Sequence, residues 1–185
     1  AKDYVRLALT GEVASEPSDA GGTQLMDVAS GRWDAALCEA AGWNPDHLPP
    51  LVQPWARAGD LRAELAARWG MGRGVAVAAG TGDNMGSTLG GGATRAGDAV
   101  ISIGTSAVTC IVDAGFHPGP ERAILTAAHA VPGAFLSMGV VMSATATLDW
   151  LSGLTDVEVP ILDAAARSHE YDNRLVEAPV FLAAL

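Results

Sequence analysis

Cysteine is scarce in this sequence: Cys38 and Cys110 are the only two. Two thiols in a chain of this composition read more simply as buried, unpaired groups than as a bridge, so a disulfide scaffold is not expected. Basic residues are few as well. Eleven Lys and Arg stand against 21 Asp and Glu, for a formal net charge of −10, and the acids are spread along the chain. That argues against a binder of nucleic-acid backbone, which needs a basic stripe to displace counterions. It leaves room for a small anionic ligand, because a few backbone N–H groups can hold a phosphate inside an acidic protein. No apolar run reaches the length of a membrane span; Gly, Pro, Asp or Arg interrupts each one.

Several catalytic signatures are missing too. There is no Gly-Lys-Ser/Thr, hence no P-loop of the Walker type. Ser106 is not in a nucleophile elbow, since Val108 stands two residues on. His47, His117, His129 and His169 lack metal-ligand spacing with one another or with the cysteines. The five tryptophans are scattered, and Trp33, Trp69 and Trp150 fall at predicted helix edges as core candidates.

What is present is a chain of 185 residues, 49% hydrophobic, enough for one large domain or two small ones. No signal peptide opens it, so the cytoplasm is the expected compartment. It starts without Met in a helical pattern and stops in the apolar run Pro179-Val-Phe-Leu-Ala-Ala-Leu185. The expectation is an excerpt of a longer protein.

Asp3 to Thr10 reads as a helix with Tyr4, Val5, Ala8 and Leu9 on one side and Gly11 as its stop. Glu12 to Arg32 is polar and Gly-rich. Asp34 caps a short helix that Gly42 ends, a Pro-punctuated loop follows, and Asp60 is expected to cap a helix closed by Gly70. Val75 to Ala79 reads as a strand buried on both faces, followed by Gly80-Thr-Gly-Asp-Asn84 and a small-residue helix from Met85 to Ala93. Strands are expected at Ala99–Ile103, Ala107–Val112, Ile124–Ala130 and Ala134–Val140, then a helix from about Met142 to Ser152 with Gly153 as its stop. This order fits an α/β protein with a mixed sheet covered by helices and a boundary near Arg95-Ala-Gly97.

Asp83 sits where a strand ends and a helix begins, the usual place for ligands in α/β sheets. Glycines on both sides of Thr81 let a substrate approach the backbone, and Asn84 offers a neutral donor and acceptor. Helix capping is the plainer role for Asp83, and the two are compatible. Gly80, Gly82 and Gly86 imitate a dinucleotide fingerprint. Against it, the third glycine is one position late and Asp83 would face a pyrophosphate. Gly104-Thr105-Ser106 joins two apolar strands, either as a tight hairpin or as a turn presenting N–H groups and hydroxyls to a phosphate.

Taken in order, these segments resemble one family. Lys2-Asp-Tyr-Val-Arg-Leu-Ala-Leu-Thr-Gly-Glu12 with Ser18-Asp-Ala20 is similar to a stretch late in the first domain of FGGY carbohydrate kinases. Ala78-Ala-Gly-Thr-Gly-Asp-Asn84 resembles that family's Gly-Gly-Asp-Asn/Gln loop, and Gly97-Asp-Ala-Val-Ile-Ser-Ile-Gly-Thr-Ser106 its second phosphate loop. His129-Ala-Val-Pro-Gly133 and the helix ending in Asp149-Trp-Leu151 resemble the segment that follows. The departures are Thr145-Ala146 in place of a glycine pair, Asp149 in place of an amide or basic residue, and Gly21 in place of Ser.

The resemblance implies an actin-like ATPase, ribonuclease H-like fold, with parts of two domains around a cleft. Residues 1–94 would be the end of the first, sugar-binding domain and residues 95–185 the start of the second, ATP-binding one. It implies phosphorylation of a sugar hydroxyl by ATP with Mg²⁺, and the wording leans toward members that turn D-xylulose into D-xylulose 5-phosphate. Glycerol, gluconate, ribulose or fuculose kinases, or a non-enzymatic actin-like ATP-binding protein, are the alternatives. Asp83 would accept the sugar hydroxyl's proton, Asn84 would hold a neighbouring hydroxyl, and Gly104, Thr105 and Ser106 would contact the phosphates. The partners implied are sugar and ATP, with a possible homodimer and neither nucleic acid nor membrane.

Overall fold

The computed structural model describes residues 1–169; the apolar run 179–185 lies outside the described residues. The chain forms two compact units, one from Ala1–Val100 with Cys110–Met138, the other from Ile101–Thr109 with the chain from Gly139 onward.

In the first unit, α1 (Lys2–Thr10) ends at Gly11, whose left-handed backbone (φ 84°) closes the helix. The apolar side of this helix does not face inward: Tyr4 and Val5 are exposed, and Arg6 is the buried residue. The reason is hydrogen bonding, since the Arg6 guanidinium reaches the carbonyls of Ala14 and Ala79 as well as Asp3. Next come α2 (Pro17–Ala20), a 3-10 turn, and the two-residue strands β1 (Met26–Asp27) and β2 (Arg32–Trp33), paired antiparallel. Asp34 caps α3 (Ala35–Ala40) through the amides of Ala36 and Leu37, as the sequence predicts.

β3 (Arg57–Asp60) and β4 (Ala76–Ala78) form an antiparallel pair, with α4 (Ala63–Arg68) between them in sequence. Two expectations fail here. Asp60 does not cap α4, because the chain stays extended: Leu61 N–H bonds to Val75 O and Arg62 N–H to Leu9 O. The Asp60 carboxylate is held by Arg57 instead. β4 is not buried on both faces either; Ala76 and Ala78 are exposed. α5 (Asp83–Gly90) follows, then β5 (Ala99–Ile103) and β6 (Ala107–Asp113), joined by residues 104–106. With β7 (Leu125–Ala128) and β8 (Phe135–Val141) they make a four-stranded sheet in the order β5-β6-β8-β7. β7 and β8 pair antiparallel, Leu125 opposite Met138 and Ala128 opposite Phe135.

Among the described residues the buried apolar side chains lie in the first unit, including Met26, Leu61, Met85, Val112, Leu136 and Met138. Cys38 and Cys110 belong to the same core and are free thiols. Trp33 is half-buried and donates to Pro49 O at 2.7 Å. Trp69 and Trp150 are not core residues, being half exposed. In the second unit, α6 (Thr145–Thr155) runs through Gly153 and ends where Asp156 turns left-handed. One glycine costs a helix only about 1 kcal/mol and need not stop it. α7 (Val159–His169), not foreseen from the sequence, packs against α6. Among the described residues no helix is long and apolar enough to cross a membrane.

Candidate active site

β4 leads through Ala79 and Gly80 into the loop Thr81-Gly82, and Asp83 is the first residue of α5. Gly82 is the N-cap, so Asp83 is not the capping residue in the strict sense; its carboxylate accepts the neighbouring Asn84 N–H at 2.8 Å. Asp83 is exposed and Asn84 half-buried, while Met85 and Thr88 on the same helix are buried and anchor it. Thr88 adds a hydroxyl bond to Asn84 O at 2.6 Å. A rigid short helix thus presents an accessible carboxylate with an amide side chain beside it. Asp83 lines a cleft of about 320 Å³ together with Ala1, Lys2, Asp19, Thr81 and Gly82.

Beneath this cleft lies a polar cluster that the sequence reading missed. Glu16 has no solvent exposure. One carboxylate oxygen accepts the Ser18 hydroxyl (2.8 Å) and the Asp19 N–H (2.9 Å), and the other accepts the Ser18 N–H (2.7 Å). Lys2 places its ammonium 2.8 Å from Asp3, 3.3 Å from Glu16 and 3.3 Å from Asp19. Burial opposes its charge, but the hydrogen bond to Asp3 and the fields of Glu16, Asp3 and Asp19 outweigh that and raise its pKa above the ordinary lysine value. Burial likewise works against the Asp3 carboxylate, yet bonds from Lys2 and Ser15 and the charges of Lys2 and Arg6 lower its pKa. Every acid in the cluster has a partner, as buried charge requires. The signal available in the sequence is Pro17, a common first residue of a helix, but Glu is not among the favoured caps, so Glu16 does not stand out as one.

Gly104, Thr105 and Ser106 fall in the second unit. There the carbonyls of Gly104 and Thr105 accept the N–H groups of Thr145 (3.1 Å) and Ala144 (2.7 Å), and the Thr145 hydroxyl also donates to Gly104 O at 2.8 Å. In a trans peptide the N–H points opposite to the C=O, so the amides of Thr105 and Ser106 face away from α6. All three turn residues are exposed. Gly104 is not in a left-handed conformation, and a Cβ there would meet only Ser106 O at 3.8 Å. Neither the backbone nor the packing of the turn demands glycine at this position. The structure therefore brings Asp83 and Asn84 together in one unit and keeps Gly104 to Ser106 together in the other. Among the described residues no group of three or more His, Cys, Asp and Glu could hold a metal ion.

Known proteins share this fold. Residues 1–90 match the N-terminal domain of the FGGY family of carbohydrate kinases, and that segment belongs to the family, with its actin-like fold. It is 42% identical over 167 residues to a xylulose kinase of Escherichia coli K12, covering 90% of this chain and 34% of the relative. A xylulose kinase of Klebsiella pneumoniae is 41% identical over 168 residues, covering 90% and 35%. Among solved structures, a xyloylose kinase from Brucella ovis superimposes with a TM-score of 0.83 at 40% identity, covering 88% of this chain and 34% of that one. The chain spans about a third of the length of these relatives.

Proposed function

We propose that the protein to which this chain belongs transfers the γ-phosphoryl group of ATP to a hydroxyl of D-xylulose, giving D-xylulose 5-phosphate and ADP. The observation that carries the proposal is Asp83: an exposed carboxylate at the start of α5, in a cleft, on a chain 42% identical to a xylulose kinase. On this reading residues 1–94 end the sugar-binding domain and residues 95–185 begin the ATP-binding one.

The sugar oxygen forms a bond to the γ-phosphorus while the bond from that phosphorus to the β–γ bridging oxygen breaks, and ADP leaves. The hydroxyl proton passes to the Asp83 carboxylate. Phosphoryl transfer has a loose transition state with little charge on the nucleophile, so orientation and late proton acceptance matter more than strong basicity. Asn84 holds an adjacent sugar hydroxyl. The amides of Thr105 and Ser106 and their hydroxyls contact the phosphates, and Gly104 leaves room for close approach. The donor set here is hydroxyl and amide rather than a carboxylate cage. Mg²⁺, which neutralises phosphate charge in such reactions, would accordingly sit mainly on nucleotide oxygens and water. The unpaired thiols of Cys38 and Cys110 suit a reducing cytoplasm.

The test is Asp83→Asn in the full-length enzyme with a coupled ADP-release assay over a panel of ketoses and polyols. Turnover should fall at least about 10²-fold, the usual cost of losing a general base, with sugar binding kept within about tenfold. Near-wild-type turnover would reduce Asp83 to a helix-end residue.

A further inference from the structure

Three groups converge on the Ser18 hydroxyl: Glu16 at 2.8 Å, Thr81 Oγ1 at 2.7 Å and the Gly82 amide at 3.0 Å. A hydroxyl has one proton to give and two lone pairs to receive. The carboxylate of Glu16 can only accept and the amide of Gly82 can only donate, so the Thr81 hydroxyl must donate to Ser18. Every direction in the chain is thereby forced, from Thr81 to Ser18 to Glu16, and Ser18 has no capacity left over. It is itself buried, at 4% exposure.

The two groups that feed Ser18 are the two residues immediately before Asp83. Gly82 is the N-cap of α5, and its amide would otherwise have to find water. Ser18 reaches it from 64 residues away in sequence, and the far end of the chain of bonds is the fully buried Glu16, itself tied to Lys2 and to the backbone of α2. The loop bearing Asp83 is thus fastened on one side to a saturated polar anchor. Packing is close there as well: a Cβ on Gly82 would lie 3.2 Å from Met85 Sδ and 3.8 Å from Ser18 Oγ.

We infer that Ser18 is the positioning residue for Asp83, acting through Thr81 and Gly82 to hold the carboxylate in line with the sugar hydroxyl. This rests on the reading of Asp83 as the proton acceptor. A displacement of about 1 Å can cost a reaction about 10²-fold when geometry supplies much of the rate.

The experiment uses full-length enzyme and five variants, one of them double, measured for kcat, for KM of sugar and ATP, and for thermal midpoint. Ser18→Ala and Thr81→Val should each lower kcat by about 10- to 100-fold and leave KM for ATP within about threefold. Thr81→Ser keeps the hydroxyl and should restore kcat to within about threefold of wild type. Asp83→Asn serves as the reference. Ser18→Ala and Thr81→Val together should cost little more than either alone, since they break one chain of bonds. If Ser18→Ala does not fold, Thr81→Val against Thr81→Ser carries the same comparison. Wild-type kcat in Ser18→Ala and Thr81→Val beside an inactive Asp83→Asn overturns this inference alone. So does a Thr81→Ser as impaired as Thr81→Val. An active Asp83→Asn overturns both this inference and the function on which it rests.

Discussion

Replacing Glu16 by Gln should destabilise the protein out of proportion to the small change in shape. The carboxylate has no solvent exposure and accepts the Ser18 hydroxyl, the Asp19 N–H and the Ser18 N–H, with Lys2 at 3.3 Å. A glutamine does best by putting its carbonyl where the first oxygen sits, which keeps the Ser18 hydroxyl and Asp19 bonds. Its NH₂ then faces the Ser18 N–H, donor against donor, and that buried N–H is left unpaired at about 1–3 kcal/mol. The bonds that survive lose their charge assistance, which is about half their strength. About 3 kcal/mol in sum is the expected loss. At about 2–4 °C per kcal/mol for a domain of this size, the thermal midpoint should fall by roughly 6–12 °C. Glu16→Ala, which strips every acceptor from a buried cluster, should cost more, about 3–5 kcal/mol. Scanning calorimetry of the full-length protein measures both. A midpoint within about 2 °C of wild type for Glu16→Gln would refute the reasoning, because it would mean that these bonds exchange freely with water.

Gly104→Ala separates folding from nucleotide binding: its backbone and surroundings tolerate a methyl, so the midpoint should move by less than about 0.5 kcal/mol equivalent while KM for ATP rises severalfold. An unchanged KM would remove the turn from the phosphate site. Gly59→Ala should do the reverse, because φ is +148° and the new Cβ would lie 2.8 Å from Thr10 Cβ. A loss of about 1–3 kcal/mol in chemical denaturation is expected, and none would show that the strand relaxes freely. The ion cluster sets a pH window. Asp3 is lowered from 3.8, so its contribution is present above that value and lost as pH falls through the folded-state pKa. Lys2 is raised from 10.5, so its contribution is full below that value and lost as pH rises through the folded-state pKa. The stability gap between wild type and Asp3→Asn should therefore stay constant from about pH 5 to about pH 9 and close below about pH 4. A gap that persists in acid would assign the effect to packing.

Much was settled by local sequence. Gly11 ends α1, Asp34 caps α3, and the strands from Ala99 onward lie within a few residues of their expected bounds, because caps, left-handed stops and apolar alternation act over a few bonds. The family was legible for the same reason, as ordered motifs along one chain. What the tertiary structure alone decided is where the polar groups go. Nothing local says that Arg6 would turn inward rather than Tyr4 and Val5; that depends on the carbonyls of Ala14 and Ala79, brought to it by other segments. Nothing local says that Asp60 would stay in a strand, since the bonds that hold the chain extended there come from Val75 and Leu9. Ser18 and Gly82 stand 64 residues apart, and a buried hydroxyl finds its partners through space. Burial makes an unpaired polar group costly, so the fold selects the pairing, and sequence spacing carries no record of it.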